Sequence, residues 1–284
     1  MNATELIDAV RVFSEAAVGV PEAELEREDW EWRSYDGLRF AYLLTYQQLR
    51  TFAVQTAVAR QEQGRPLTEA QRILAQYTTA YRDLHGALVG VSNEDIEKPP
   101  AEGEWPLRQV LWHMMHVQSA FVALCEYAVE RVRMGGDLPI EMGRDEIEAR
   151  RGEVKDEGDL DDILGRYDRL HDRVTMSFAG LADNELAAPS LWWEGWDVEV
   201  RFRLHRLDAH IREHLIQVDK TLVGIARPPT ESQRLLRQVY NALGGAEGAA
   251  LGATDVLASE RTSLAEEIRA RAEDVRAYAG PAAG

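Results

Sequence analysis

Apolar residues recur at helical spacing over most of this 284-residue chain, and no other sequence feature restricts its fold as strongly. Breaks that are rich in glycine and proline, such as Gly64-Arg65-Pro66 and Pro228-Pro229, divide the pattern into segments of ordinary helical length. We therefore predict an all-α fold. The predicted helices cover about 40–58, 66–88, 105–134, 160–181, 199–225, 230–243 and 255–278.

Two parts of the chain lack a plain helical pattern. Residues 135–158 are polar and rich in glycine and acidic residues, which predicts at most a short helix. Residues 189–196 form a tryptophan-rich loop, and its tryptophans at 192–196 either pack in the core or hairpin or line a pocket. Between Val198 and Leu204 apolar and polar residues alternate, which on its own is typical of a strand. Because a helical stripe continues from there to Leu222, we predict one helix throughout.

Charge and composition exclude several classes of function. A formal net charge of −17 would repel nucleic acid and anionic lipid, and no apolar run approaches the roughly 18 residues that span a membrane. The first residues are acidic where a signal peptide carries Lys or Arg. Cys125 is the single cysteine, which rules out an intrachain disulfide, and we interpret it as a small buried hydrophobe. We expect a cytoplasmic protein that binds neither nucleic acid nor membranes.

A pair of histidines stands out on the helix predicted at 199–225. His210 and His214 are four residues apart, so both imidazoles project from one face, one turn apart, and can reach one metal ion at about 2.0–2.1 Å. The same spacing is also found on solvated helix faces. The pair is not a zinc-protease signature, because Ile211 stands where that motif needs glutamate and Glu213 lies off the ligand face.

A third ligand has to come from another helix. His113 lies in an apolar helix, where a lone histidine is either a ligand or a core residue satisfied by hydrogen bonds. His116 lies one turn further near the same face and competes with it for the role. The remaining histidines are interpreted as structural or surface residues: His85, His171 and His205.

Two segments resemble the DinB (damage-inducible) superfamily. The run WPLRQVLWH, Trp105–His113, is similar to the family's Trp-Ser-x-x-Glu-x-Leu-x-His entry into its second helix. The run from Leu204 to Gln217 resembles the family's fourth-helix His-x-x-x-His that ends in Gln. The resemblance covers roughly 66–225, a little over half of the chain.

This resemblance implies a four-helix bundle of up-down-down-up arrangement with a metal site between its helices. Carried across residue by residue, it makes His113 the second-helix ligand, and His210 and His214 the fourth-helix pair. It divides the chain into an N-terminal helical extension at 1–65, a DinB-like four-helix bundle at 66–225 and a C-terminal helical extension at 226–284.

The sequence departs from the family pattern at two places. Gln118 stands where the family usually has Glu, five residues after the first histidine, which is expected to affect hydrogen bonds around the ligands. The two extensions are not part of the minimal fold. They leave substrate access and assembly open, and a homodimer built on the flanking helices is one arrangement that bundles often adopt.

Three neutral ligands with open positions are typical of a catalytic rather than a closed structural metal site. Zn²⁺, Ni²⁺, Fe²⁺ and Mn²⁺ all accept imidazole, so the ligand type does not choose among these divalent transition metals. The resemblance implies a thiol-dependent transferase or isomerase that uses a low-molecular-weight thiol such as mycothiol or bacillithiol. The alternative is a non-catalytic metal-binding or stress-associated protein of the same fold. The sequence assigns no catalytic residue beyond the ligands.

Overall fold

The computed structural model describes residues 4–27, 31–32, 35–191 and 195–279. Helices dominate these ranges, so the predicted all-α fold is confirmed. The α-helices of the described ranges are α1 (Thr4–Ala17), α2 (Glu22–Leu25), α3 (Arg39–Glu62), α4 (Glu69–Leu88), α5 (Leu107–Arg133), α6 (Arg144–Arg151), α7 (Leu160–Phe178), α8 (Asp183–Leu186), α9 (Val200–Gly224), α10 (Glu231–Ala250) and α11 (Ala258–Ala279).

Two short antiparallel hairpins interrupt the helices in the described ranges. Strand β1 (Glu31–Trp32) pairs with β2 (Tyr35–Asp36), and β3 (Pro189–Leu191) pairs with β4 (Asp197–Glu199). The second hairpin corrects two predictions, because residues 189–191 are a strand rather than loop and the predicted helix does not include Val198. That residue pairs with Ser190 and is buried, and α9 begins only at Val200. The first part of the alternating segment is therefore a strand, and the rest belongs to α9.

The tryptophan-rich loop is described in part. Trp192 and Trp193 lie outside the described residues, so the suggestion that they line a pocket stays a prediction. Trp196 is exposed over 46% of its surface and contacts the ring of Phe202 edge-on, with 6.0 Å between ring centroids.

The chain forms two compact units. The terminal unit comprises Met1–Leu67, Thr78–Val91 and Arg227–Gly284, and the central unit comprises Thr68–Tyr77 and Ser92–Ala226. Helix α4 therefore belongs to the central unit up to Tyr77 and to the terminal unit from Thr78 onward. The predicted division at 65/66 and 225/226 stays a prediction, since compact packing does not establish which parts fold independently.

In the terminal unit, α1 packs on α11 and α3 packs on α10, around a core of aliphatic and aromatic side chains. Arg82 and Glu247 form a buried ion pair there, with Nε and Oε2 2.6 Å apart. Gly244 of α10 approaches the backbone so closely that a Cβ atom would lie 2.7 Å from the Cα atom of Thr79.

In the central unit, α5 packs against α9, α7 and α6. Helix α5 begins after Pro106, an N-cap residue with φ −68°. Proline has no backbone N–H, and at this position a backbone N–H would have no acceptor within the helix. Helix α7 begins with a capping box, in which the Asp159 carboxylate accepts the backbone N–H of Asp162 at 2.8 Å and the Asp162 carboxylate accepts that of Asp159 at 3.2 Å. The contact between α5 and α9 brings the two candidate ligand helices together.

In the described part of the chain, no helix combines the length and the apolar character that crossing a membrane requires.

Candidate metal centre

Three histidines from two helices of the central unit meet at one point. His113 comes from α5, and His210 and His214 come from α9. The ring centroids are 5.6 Å apart for His113 and His210, 4.9 Å for His113 and His214, and 4.5 Å for His210 and His214. One nitrogen of each ring lies within 4.8 Å of the others, so this group could hold a metal ion.

The spacing of the α9 pair is that of two ligands of one ion. The Nε2 atoms of His210 and His214 lie 3.1 Å apart. Two nitrogens that each sit about 2.0–2.1 Å from one ion, at roughly 90–110° to one another, are separated by roughly 2.8–3.4 Å. The one-turn offset that the sequence predicted therefore gives a separation that fits a shared metal.

Gln217 orients one of these rings. Its Oε1 lies 2.9 Å from Nδ1 of His214 and accepts the proton of that nitrogen. With the proton on Nδ1, the lone pair of Nε2 is free to point toward the other two rings. Metal-ligating histidines characteristically donate their other N–H in this way, so Gln217 has the place of a supporting residue.

His210 is the most enclosed of the three rings. It is 4% exposed and contacts the ring of Phe121, with 6.2 Å between centroids. Among the described residues, its buried Nδ1 has no hydrogen-bond partner, and its Nε2 meets only the neighbouring His214. An ion between the rings would bind Nε2 of His210, which in the described structure meets only a second imidazole nitrogen, and this is the strongest structural evidence that the cluster fits a metal.

The surroundings of His210 and His113 favour the neutral imidazole. Burial, with smaller contributions from the adjacent His214 and His113 rings, lowers the pKa of His210 to about 3. Burial also lowers the pKa of His113, again with a contribution from His214. A metal ion binds only the neutral imidazole, so at neutral pH no proton has to be displaced from these two rings.

His113 forms the more open side of the cluster. It is only partly buried, and the ring of Trp105 lies beside it with 5.2 Å between centroids. On α9, Glu213 is largely exposed and lies 3.8 Å from the Arg206 guanidinium. Glu213 is therefore outside the cluster, which agrees with the exclusion of a zinc-protease site.

The other histidines do not join the cluster in the described structure. Arg151 donates to Nε2 of His116 at 2.7 Å, and the ring of Trp112 lies beside that histidine, which is not part of the three-histidine group. His85 lies 2.8 Å from the Tyr81 hydroxyl, His171 is buried and stacks on Tyr77, and His205 is exposed.

Gln118, the position that departs from the family pattern, is not directed at the histidines. Its Nε2 donates to the Tyr167 hydroxyl at 2.6 Å, and its Oε1 accepts from the Tyr77 hydroxyl at 3.4 Å. All three side chains are fully buried. The substitution therefore changes a hydrogen-bonded core network, while the glutamine that supports the ligands is Gln217. Gln217 closes the matched motif three residues after His214, and this position is the sequence signal for its role.

One comparison with known proteins matches the segment that carries this cluster. A family model described as "DinB superfamily" matches residues 76–218, a segment that includes all three histidines and Gln217. No curated protein and no solved structure matches the chain.

Proposed function

The chain belongs to the DinB superfamily, whose model matches just over half of its residues, and on this basis we propose that it binds a divalent transition metal through His113, His210 and His214. The observation that carries the proposal is the meeting of three imidazoles, two of them with Nε2 atoms 3.1 Å apart, at a point where Nε2 of the buried His210 has no other partner among the described residues.

We further propose that the centre serves an enzyme that activates a low-molecular-weight thiol for transfer or isomerisation. A bound divalent metal would supply Lewis acidity, which favours the thiolate form of a coordinated thiol at neutral pH. The three imidazoles would hold it as neutral ligands, and the partly exposed His113 side is where a small substrate would approach. The hydrogen bond from His214 to Gln217 would hold that ring in the required tautomer.

Metal binding is tested by native mass spectrometry and elemental analysis of the protein after incubation with Zn²⁺, Ni²⁺, Mn²⁺ or Fe²⁺. We expect one ion per chain in the natural protein and loss of that ion in His210→Ala. His205→Ala is the matched control, because His205 is an exposed histidine on the same helix. Equal metal content in the two variants would refute the ligand assignment.

Catalysis is tested separately, on the metal-loaded protein. The assay follows consumption of mycothiol, bacillithiol and glutathione in the presence of small electrophiles, with His210→Ala as the inactive control. Metal-dependent consumption of a thiol supports the enzyme. Stoichiometric metal without turnover of any thiol would instead favour the non-catalytic metal-binding protein.

A further inference from the structure

The central unit contains a cavity that is lined by arginines. Its volume is about 270 Å³, and it lies between α5, α7 and the segment that follows α6. On α5 it is lined by Met115, which is two residues after His113 and therefore about 200° around the helix axis from it. The cavity thus opens on a different face of α5, and none of the three candidate metal ligands lines it.

The charge of this cavity is opposite to that of the chain. In a protein of net charge −17, four guanidinium groups line one small cavity, where the single lining carboxylate is that of Glu153. Three of the arginines, Arg166, Arg169 and Arg173, are three and four residues apart on α7 and therefore share one helix face. Like charges at this spacing repel one another, so the arrangement costs stability unless an anion offsets it.

Two of the four arginines are already paired with carboxylates. Arg173 binds Glu126, with Nε 3.0 Å from Oε1, and Arg151 binds Glu148. These two ion pairs hold their guanidinium groups in place and compensate their charge.

The other two arginines have no carboxylate partner in the described part of the chain. The guanidinium of Arg166 donates to the backbone carbonyl oxygen of Glu157, and that of Arg169 forms no hydrogen bond or ion pair there. Arg169 is exposed, and Arg166 is partly buried. Two positive charges on one face of α7 therefore border the cavity, and neither forms an ion pair within the described ranges. The Glu153 carboxylate in the same lining lies 3.8 Å from the Lys155 ammonium.

Uncharged side chains complete the walls. Met115, Val154 and Leu170 give the cavity apolar surface. The segment that carries Val154 is held against α5, because the indole nitrogen of Trp112 donates to the Val154 carbonyl oxygen at 3.0 Å. The cavity therefore combines a preformed apolar wall with guanidinium groups, the side chains best suited to carboxylate and phosphate oxygens.

We propose that this cavity binds a small organic oxyanion, a carboxylate or a phosphate monoester. Arg166 and Arg169 bind its charged oxygens, and the three apolar side chains pack against its uncharged part. The proposal is independent of the metal centre, since the two sites share no residue.

The test is isothermal titration calorimetry on the metal-free full chain, with phenyl phosphate, benzoate and inorganic phosphate as probes. We expect the natural protein to bind phenyl phosphate or benzoate more tightly than inorganic phosphate, because only the first two offer an apolar group. The stronger of those two probes identifies the preferred oxyanion. Intrinsic tryptophan fluorescence gives a second readout, since the indole of Trp112, one of seven tryptophans, is bonded to the cavity wall.

The decisive variant is Arg169→Gln, which we expect to weaken binding of the preferred probe about tenfold or more, as the loss of a hydrogen bond to a charged group does. Arg72→Gln is the matched control, an exposed arginine of the same unit, on α4. Arg166→Gln provides an independent second variant, and circular dichroism verifies that each variant is folded. The proposal is overturned if no probe binds at millimolar concentration, if Arg169→Gln and Arg72→Gln bind alike, or if inorganic phosphate binds as tightly as the aromatic probes.

Discussion

The Oε1 atom of Gln217 lies 2.9 Å from Nδ1 of His214, three residues earlier on the same helix. This contact sets the tautomer of a candidate ligand without touching the place where the three rings meet. We predict that Gln217→Leu lowers metal affinity by about 10–100-fold, the usual effect of removing a partner of a ligating histidine. Competition with a chromogenic chelator measures it. Gln109→Leu, the same change at an exposed position of α5, should leave the affinity unaltered.

The two histidines of α5 should behave differently on substitution. His113→Ala should lower metal affinity more strongly than Gln217→Leu, because it removes one of three ligands. His116→Ala should leave it unchanged, since His116 is outside the three-histidine group and its Nε2 is bonded to Arg151. The same chelator competition measures both variants. A loss of metal in His116→Ala together with retention in His113→Ala would show that His116, and not His113, is the ligand.

Replacing either of two adjacent glycines of α10 by alanine should change the free energy of unfolding, in opposite directions. A Cβ on Gly244 would lie 2.7 Å from the Cα atom of Thr79, so Gly244→Ala should lower the free energy of unfolding by about 1–3 kcal/mol. A Cβ on Gly245 has its nearest neighbour at 3.7 Å, in the side chain of Arg50, so Gly245→Ala should raise it by about 0.5–1 kcal/mol. Urea denaturation of both variants measures the difference, and equal effects would contradict the close approach.

Glu185 should contribute stability that disappears in acid. Its carboxylate accepts the backbone N–H of Ala182 at 2.8 Å and the Nε–H of Arg133 at 2.6 Å, and these hydrogen bonds lower its pKa below the usual 4.5. The unfolded chain then binds the proton more tightly than the folded one. The contribution is therefore complete above pH 4.5 and is lost as the pH falls through the lowered pKa of the folded state.

Glu185→Gln should accordingly destabilise the protein by about 1 kcal/mol at pH 7, with a smaller difference from the natural protein below pH 4.5. Urea denaturation at pH 7 and at pH 3.5 provides the comparison. Glu102→Gln, at an exposed position, serves as the control. A difference for Glu185→Gln that is the same at both pH values would show that the carboxylate charge has no part in it.

Much of the fold and the composition of the histidine cluster could be predicted from local sequence. The apolar stripe and the His-x-x-x-His pair of α9 can be recognised in the sequence. The Trp105–His113 motif indicates that the third histidine comes from α5. The structure brings these three rings together, and their binding of a metal remains a prediction. The choice between His113 and His116 was open because both lie near one face of α5, and it depends on the position of Arg151, which is distant in sequence.

Other features depend on contacts that periodicity does not encode. Val198 could be read as the start of a helix because its alternating pattern continues into the stripe of α9, and only its pairing with Ser190 distinguishes the two. The arginine-lined cavity is formed by residues of α5, α7 and the segment after α6. The proposed anion binding depends on which of its guanidinium groups have no carboxylate partner. The local sequence does not predict which of these arginines are paired with carboxylates.

Helix α4 passes from one compact unit to the other between Tyr77 and Thr78, and the family match begins at residue 76. A chain shortened to residues 76–218 would therefore keep Arg82 and Asp83 but lose Glu247 and Arg237, which neutralise them. It would also lose the surface against which α4 is packed at Gly86, where the Cα atom of Arg237 lies 2.8 Å from the position of a Cβ. Excising the matched segment would therefore expose charged and apolar side chains along Thr78–Leu88, which make up nearly all of the first helix that it would keep.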